Sequence, residues 1–152
     1  MKNLNLKYLG SSITFQEVPD ETSLVINISG CPHHCEGCHS EYLWVYEGDY
    51  ITDDLDNLLN QYKDYITCVC FMGGDQNIDE LIMLCKKIKN SDLKVCVYSG
   101  RDDIEYFDEL IRHIDYLKIG RYIEGLGGLN SKTTNQKFYD LKNNKEIKFY
   151  KN

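Results

Sequence analysis

The sequence lacks the features that would divide it or send it into a membrane. Its 152 residues contain two prolines, and no Pro/Gly/Ser-rich stretch or block of like charge marks a linker, so residues 1–152 are expected to form a single domain. No run approaches the roughly 18 consecutive apolar residues that a membrane span requires. The opening MKNLNLKYLGSSITF has no continuous apolar core of the kind a secretory leader carries. The chain is therefore expected to be cytoplasmic, with no membrane partner. Basic residues are in deficit: 17 Lys and Arg against 24 Asp and Glu leave a formal charge of −7. Nucleic-acid binding needs clustered cations that displace counterions from phosphate, so no nucleic-acid partner is expected. A disulfide framework is excluded on other grounds, because the seven cysteines are odd in number and three of them fall within eight residues. That pattern belongs to metal or cluster binding in a reducing compartment.

What is present is enough for a core, with 42% apolar residues and 12 tyrosines spread along the chain. Residues 22–29, TSLVINIS, form a β-branched run ending at Gly30 and predict a buried strand. Thr52, followed by two aspartates, predicts the cap of a helix through Tyr62, with Leu55, Leu58 and Leu59 as its apolar stripe. A strand over 66–71 then runs into Gly73-Gly74-Asp75, and 78–89 places Ile78, Leu81, Ile82, Cys85 and Ile88 on one helical face. The alternation continues with a strand at 93–98 ending in Ser99-Gly100, a helix at 102–112, and a strand at 116–119 ending at Gly120. The last segment, YDLKNNKEIKFY, predicts a hairpin turning near Asn143-Asn144. Alternating strands and helices of this length indicate an α/β fold with a parallel sheet. Ligands of such sheets bind beyond the carboxyl ends of the strands, where the cysteine loop, Gly73-Gly74-Asp75, Ser99-Gly100 and Gly120 all fall.

In GCPHHCEGCHS the spacing C-x3-C-x2-C offers the thiols of Cys31, Cys35 and Cys38 within one short turn. Three thiolates hold three irons of a four-iron, four-sulfur cluster and leave the fourth open to a small chelating ligand. The alternative is zinc, since the same cysteines with one of His33, His34 or His39 make a tetrahedral set. Zinc modules usually carry a second C-x2-C knuckle, which is missing here. Cys68 and Cys70, within a later strand, are assigned to opposite sheet faces and so to a poor chelate. With Cys85 and Cys96 they read as small apolar core residues.

The C-x3-C-x2-C loop after the first strand, followed by a Gly-Gly-acid turn after a later one, resembles the radical S-adenosylmethionine enzymes. More narrowly, CPHHCEGCHSEYLW, FMGGDQN, VYSG, LKIGRY and SKTTNQKFYDL look like corresponding segments of the activases of anaerobic (class III) ribonucleotide reductases, over roughly residues 22–141. The resemblance implies an oxidoreductase with a truncated, open βα barrel-like sheet, because the chain is too short for a full eight-unit barrel. It implies that the reduced cluster, on Cys31, Cys35 and Cys38, cleaves S-adenosylmethionine to methionine and a 5′-deoxyadenosyl radical. That radical takes an α-hydrogen from one glycine of the large subunit of an anaerobic ribonucleoside-triphosphate reductase, the protein substrate. It implies a one-electron donor such as flavodoxin, and cofactor contacts at Gly37, Cys38, His39, Gly73, Gly74 and Asp75. Two alternatives stay open: an activase of another glycyl-radical enzyme, and a non-enzymatic zinc or iron–sulfur interaction module.

Other residues carry less. His33 and His34 read as polar loop residues; Ser99, at the same rim, is a candidate nucleoside contact. Lys118 and Arg121 are either surface charges or groups facing the ligand or partner. Tyr42, Trp44 and Tyr46 read as packing for the cysteine loop. Replacing Gly74 with a bulkier residue is expected to weaken cofactor binding before it disturbs folding.

Overall fold

The computed structural model describes residues 4–31 and 41–150, with the side chains of Glu41 and Tyr42 left aside. Its elements are β1 Lys7–Thr14, β2 Ser23–Ile28, β3 Asp49–Tyr50, α1 Ile51–Tyr62, β4 Cys68–Met72, α2 Ile78–Lys89, β5 Lys94–Tyr98, β6 Tyr116–Ile119, β7 Lys137–Asp140 and β8 Lys145–Ile147. The strands form one sheet in the order β3-β1-β2-β4-β5-β6-β7-β8. The four central strands are parallel, β2 to β4 to β5 to β6. Antiparallel strands extend both edges. The sheet is therefore mixed and open, where the alternation of strands and helices predicts a wholly parallel one.

The two faces differ. Leu24, Ile26, Val69, Phe71, Val95, Val97 and Leu117 point to one side, where Leu55 and Leu59 of α1 and Leu81, Leu84, Cys85 and Ile88 of α2 cover them. Residues of alternate parity, Val25, Cys68, Cys70, Cys96, Tyr116 and Phe138, point to the other. There the sheet is covered by Val18, from the segment between β1 and β2, and by the half-buried Leu129, Ile147 and Phe149. Burial on both faces explains why the central strands are apolar throughout rather than alternating. Cys68 and Cys70 share a face, because side chains two apart in a strand point the same way; the assignment to opposite faces is corrected. Both are fully buried, as core residues should be.

Three further expectations are revised. The predicted helix at 102–112 is two short 3₁₀ turns, Ile104–Phe107 and Leu110–His113. Ile104, Phe107 and Leu110 recur every third residue, the period of a 3₁₀ helix, and the Asp103 carboxylate binds Arg101 at 2.9 Å instead of capping a helix. Helix α1 starts from Tyr50 without a side-chain cap, since β3 leads straight into it. The Thr52 hydroxyl donates instead to Glu80 at 2.6 Å. Strand β1 is not predicted at all: it is a half-buried strand between β3 and β2, with Gly10 at φ +86 inside an irregular register between Tyr8 and Ser11. A glycine bulge and two serines hide its period. Helix α2, strand β6 and the terminal hairpin, turning through Asn144 at φ +53, lie where the sequence places them.

The amino end of the parallel sheet is tied by two buried carboxylates. Glu21 accepts from Thr67, Lys94 and Tyr116 at 2.7–2.9 Å. Asp115 accepts from the Val95 amide at 2.8 Å, and pairs with Lys89 at 2.9 Å and Lys142 at 3.1 Å. Burial alone would raise the Asp115 carboxyl, but the Lys89, Val95 and Lys142 hydrogen bonds together hold it below the ordinary aspartate range. A depressed carboxyl stabilises the fold above its unfolded pKa, about 3.9, and that contribution is lost as pH falls through the lower folded value. Asp115→Ala is expected to cost about 2–3 kcal/mol at neutral pH. Urea unfolding should show this loss shrinking below about pH 4, whereas a pH-independent difference would mean that the ion pairs contribute nothing.

Candidate functional site

The four parallel strands are in register, so their final residues form rows across the sheet. Asn27, Met72, Tyr98 and Lys118 are successive partners in one such row. They have the parity of the thiol-and-aromatic face and floor a cavity of about 210 Å³ at the carboxyl ends of the strands. Cys31, Leu43, Gly73, Asp75, Gln76 and Ser99 rise around it, with Tyr122 and Gln136 on the far wall. Pockets for small ligands usually enclose about 300–1,000 Å³, so the described walls bound only part of such a ligand.

Cys31 reaches this wall because the stem of its loop is fastened. The Cys31 and Gly30 amides donate to Leu43 O at 2.9 Å and Val45 O at 3.3 Å. The Ser29 amide donates to Lys7 O at 2.9 Å, and its hydroxyl accepts from the Glu47 amide at 3.1 Å. Gly30 has φ +75 and lies against the Tyr46 ring, where an added Cβ would stand 3.2 Å from Cδ2. Tyr46 in turn donates to Asn5 O at 2.6 Å, so it packs and anchors the loop stem as expected. Cys35, Cys38, Gly37, His39, His33 and His34 lie outside the described residues.

The turn after β4 needs both of its glycines. Gly73 has φ +104 and Gly74 φ +107, conformations that cost a residue with a side chain about 1–3 kcal/mol. A Cβ on Gly74 would also come within 3.0 Å of Ile28 and 3.2 Å of Leu81. Substitution at Gly74 therefore strains the fold directly, and the expected order of effects, binding before folding, does not hold. The Gly73 amide donates to Tyr98 O at 2.9 Å, which binds the turn to β5.

Asp75 is 4% exposed and held from two sides. Ser99, itself 2% exposed, donates its hydroxyl proton to Asp75 Oδ2 at 2.6 Å. The Tyr106 hydroxyl donates to Asp75 O at 2.7 Å, and the Arg101 guanidinium stacks 3.7 Å from the Tyr106 ring centre. The Ser99 oxygen also accepts from the Arg101 amide at 3.0 Å. Lys118 is buried, with its ammonium donating to Ser99 O at 3.1 Å and Gly120 O at 2.7 Å, and so clamps the tips of β5 and β6. Arg121 is an exposed residue beside Asp102 at 3.5 Å. Asn135 and Gln136 pack on Gly120, where a Cβ would stand 3.0 Å from Gln136 Cα.

The site therefore gathers Cys31, Gly73, Asp75 and Ser99 around one cavity, with Gly74 in the same turn, and adds Gln76, Tyr106 and Lys118. Gln76 and Tyr106 carry no motif; only their long-range bonds reveal them. Thiols elsewhere are poor ligands, because burial pushes Cys68, Cys85 and Cys96 well above the ordinary thiol range. Among the described residues no three His, Cys, Asp or Glu side chains converge on a metal position. Of the three cysteines expected to hold a cluster, Cys31 is the one among the described residues, and it lines the cavity.

The sequence profile of the 4Fe-4S single cluster domain matches residues 22–147. Three curated proteins, each named anaerobic ribonucleoside-triphosphate reductase-activating protein, are similar to the chain. That of Haemophilus influenzae is 25% identical over 117 residues, 68% of this chain and 76% of the relative. That of Enterobacteria phage T4 is 27% identical over 114 residues, 68% of this chain and 72% of the relative. That of Vibrio cholerae is 26% identical over 117 residues, with 68% and 76% covered. No solved structure gives a significant match. With the profile covering most of its length, from β2 to β8, the chain belongs to the 4Fe-4S single cluster domain family.

Proposed function

We propose that this protein is a radical S-adenosylmethionine activase that generates a glycyl radical on the large subunit of an anaerobic ribonucleoside-triphosphate reductase. The observation that carries the proposal is the meeting of the Cys31 loop stem with the Gly73-Gly74-Asp75 turn in one cavity. The names of the three relatives supply the reductase as partner. The family favours an iron–sulfur cluster over zinc. In this reading residues 1–152 act as one domain, the sheet is the open half-barrel of the radical enzymes, and a flavodoxin-like donor supplies electrons in the cytoplasm. No helix among the described residues is long and apolar enough to cross a membrane.

Cys31, Cys35 and Cys38 hold the cluster, which when bound supplies the electron that cleaves S-adenosylmethionine and so leads to loss of an α-hydrogen from the partner glycine. Gly73 and Gly74 let the backbone approach the amino-acid end of the cofactor without a side chain in the way. Asp75 places a carboxylate beside that cationic group, and the Ser99 hydroxyl fixes its orientation. The family resemblance assigns Gly37 and His39 to contacts with the adenine. Ile28, Leu43 and Met72 give the cavity apolar walls that keep water from a reactive intermediate.

Cys31→Ala, Cys35→Ala and Cys38→Ala are each expected to abolish reductase activation and the electron paramagnetic resonance signal of the reduced, reconstituted cluster. A fully active variant would remove that cysteine from the ligand set. In the wild type, adding S-adenosylmethionine should change the reduced-cluster signal; an iron-free protein that holds zinc would overturn the proposal. Asp75→Ala should weaken S-adenosylmethionine binding by about tenfold or more, the loss of one charge-assisted contact. Equilibrium binding to the iron-loaded variant measures it, and wild-type affinity would take Asp75 out of the site.

A further inference from the structure

Gln76 spans the two segments that meet in the cavity. Its Nε2 donates to Ser29 O at 3.0 Å, and its Oε1 accepts from the Gly74 amide at 3.2 Å. Ser29 stands two residues before Cys31, in the stem whose neighbouring amides are already bound to Lys7, Val45 and Leu43. One end of a single half-buried carboxamide thus grips the cysteine-loop stem, and the other grips the glycine turn. A carboxamide offers a donor and an acceptor on separate atoms of one terminus at neutral pH; a glutamate has acceptors only, and a leucine neither.

We propose that Gln76 is a positioning residue that sets the Gly73–Gly74 turn against the cysteine loop, so that the amino-acid end of S-adenosylmethionine is held at a fixed place relative to the cluster. The inference rests on the function proposed above and adds a residue to it. Misplacement of a bound group by about 1 Å can cost about a hundredfold in rate, so a bridge between the two halves of the site has leverage out of proportion to its two bonds.

Gln76→Leu removes both bonds, and Gln76→Glu keeps the acceptor for Gly74 while losing the donor to Ser29. In cluster-free protein, amide exchange followed by nuclear magnetic resonance should show the Gly74 N–H exchanging about tenfold faster in Gln76→Leu than in wild type or Gln76→Glu. After reconstitution both variants should carry wild-type iron. Both should bind S-adenosylmethionine about tenfold more weakly, with a smaller cofactor-induced change in the reduced-cluster resonance signal. A merely structural role would lower the melting temperature and leave cofactor affinity unmoved, and that result overturns the inference. So does an unchanged Gly74 exchange rate in Gln76→Leu, or loss of iron from Gln76→Glu, which would place the residue in cluster assembly. If Gln76→Leu does not fold, the comparison of Gln76→Glu with wild type decides alone. Wild-type protein that binds iron yet shows no response to S-adenosylmethionine would instead strike the proposed function, and the inference with it.

Discussion

The ends of the parallel strands impose the governing constraint. Where β2, β4, β5 and β6 stop, their last amides and carbonyls lose ladder partners, and buried backbone groups must be paired. The chain solves this at every strand: Cys31 to Leu43, Gly73 to Tyr98, Ser99 to Lys118 and Gly120 to Arg101 across the rim. Two side chains complete the pairing. The Lys118 ammonium takes Ser99 O and Gly120 O, and the Gln76 carboxamide takes Ser29 O. The same bonds that close the sheet also set the loops around the cavity. Fold and site therefore share one set of contacts, and a change at the rim acts on both.

Register transmits this constraint downward. Beneath the row Asn27, Met72, Tyr98 and Lys118 lies the row Val25, Cys70, Cys96 and Tyr116 on the same face. Two cysteines in the middle keep that second row shallow, and among the described residues no helix covers this face; a loop segment through Val18 and Phe149 lie on it instead. Large aliphatic side chains dominate the opposite face, where α1 and α2 pack. Burial on the thiol-bearing face raises the Cys68 and Cys96 thiols, which lie beneath the site and not in the lining of its cavity.

How much of this was legible follows from which forces are local. Helix α2 was readable because its apolar residues fall on one face; the structure adds Asn77 as its cap, accepting from the Glu80 amide at 3.2 Å. The strands were readable because burial on both faces makes them continuously apolar. The glycine turn and the first cysteine were readable because their chemistry is tied to residue type. What failed depended on partners far along the chain. The region 102–112 has a helical composition, yet Tyr106 is drawn to Asp75, 31 residues away, and the segment forms 3₁₀ turns. Strand β1 exists because β2 and β3 flank it, not because its own residues alternate. Gln76 gave no signal, since a glutamine after a turn is unremarkable until Ser29 is found 3.0 Å from its amide.

The Gly-Gly-Asp turn answers first to the fold itself. Each residue of the turn has a structural duty apart from any ligand. Gly73 and Gly74 adopt dihedrals closed to other residues, and Gly74 leaves room for Ile28 and Leu81. Asp75 opens the short 3₁₀ turn before α2 and receives the Ser99 hydroxyl. The stability of the β4–α2 junction and the proposed cofactor contact therefore call on the same three residues, and a change at any of them acts on both.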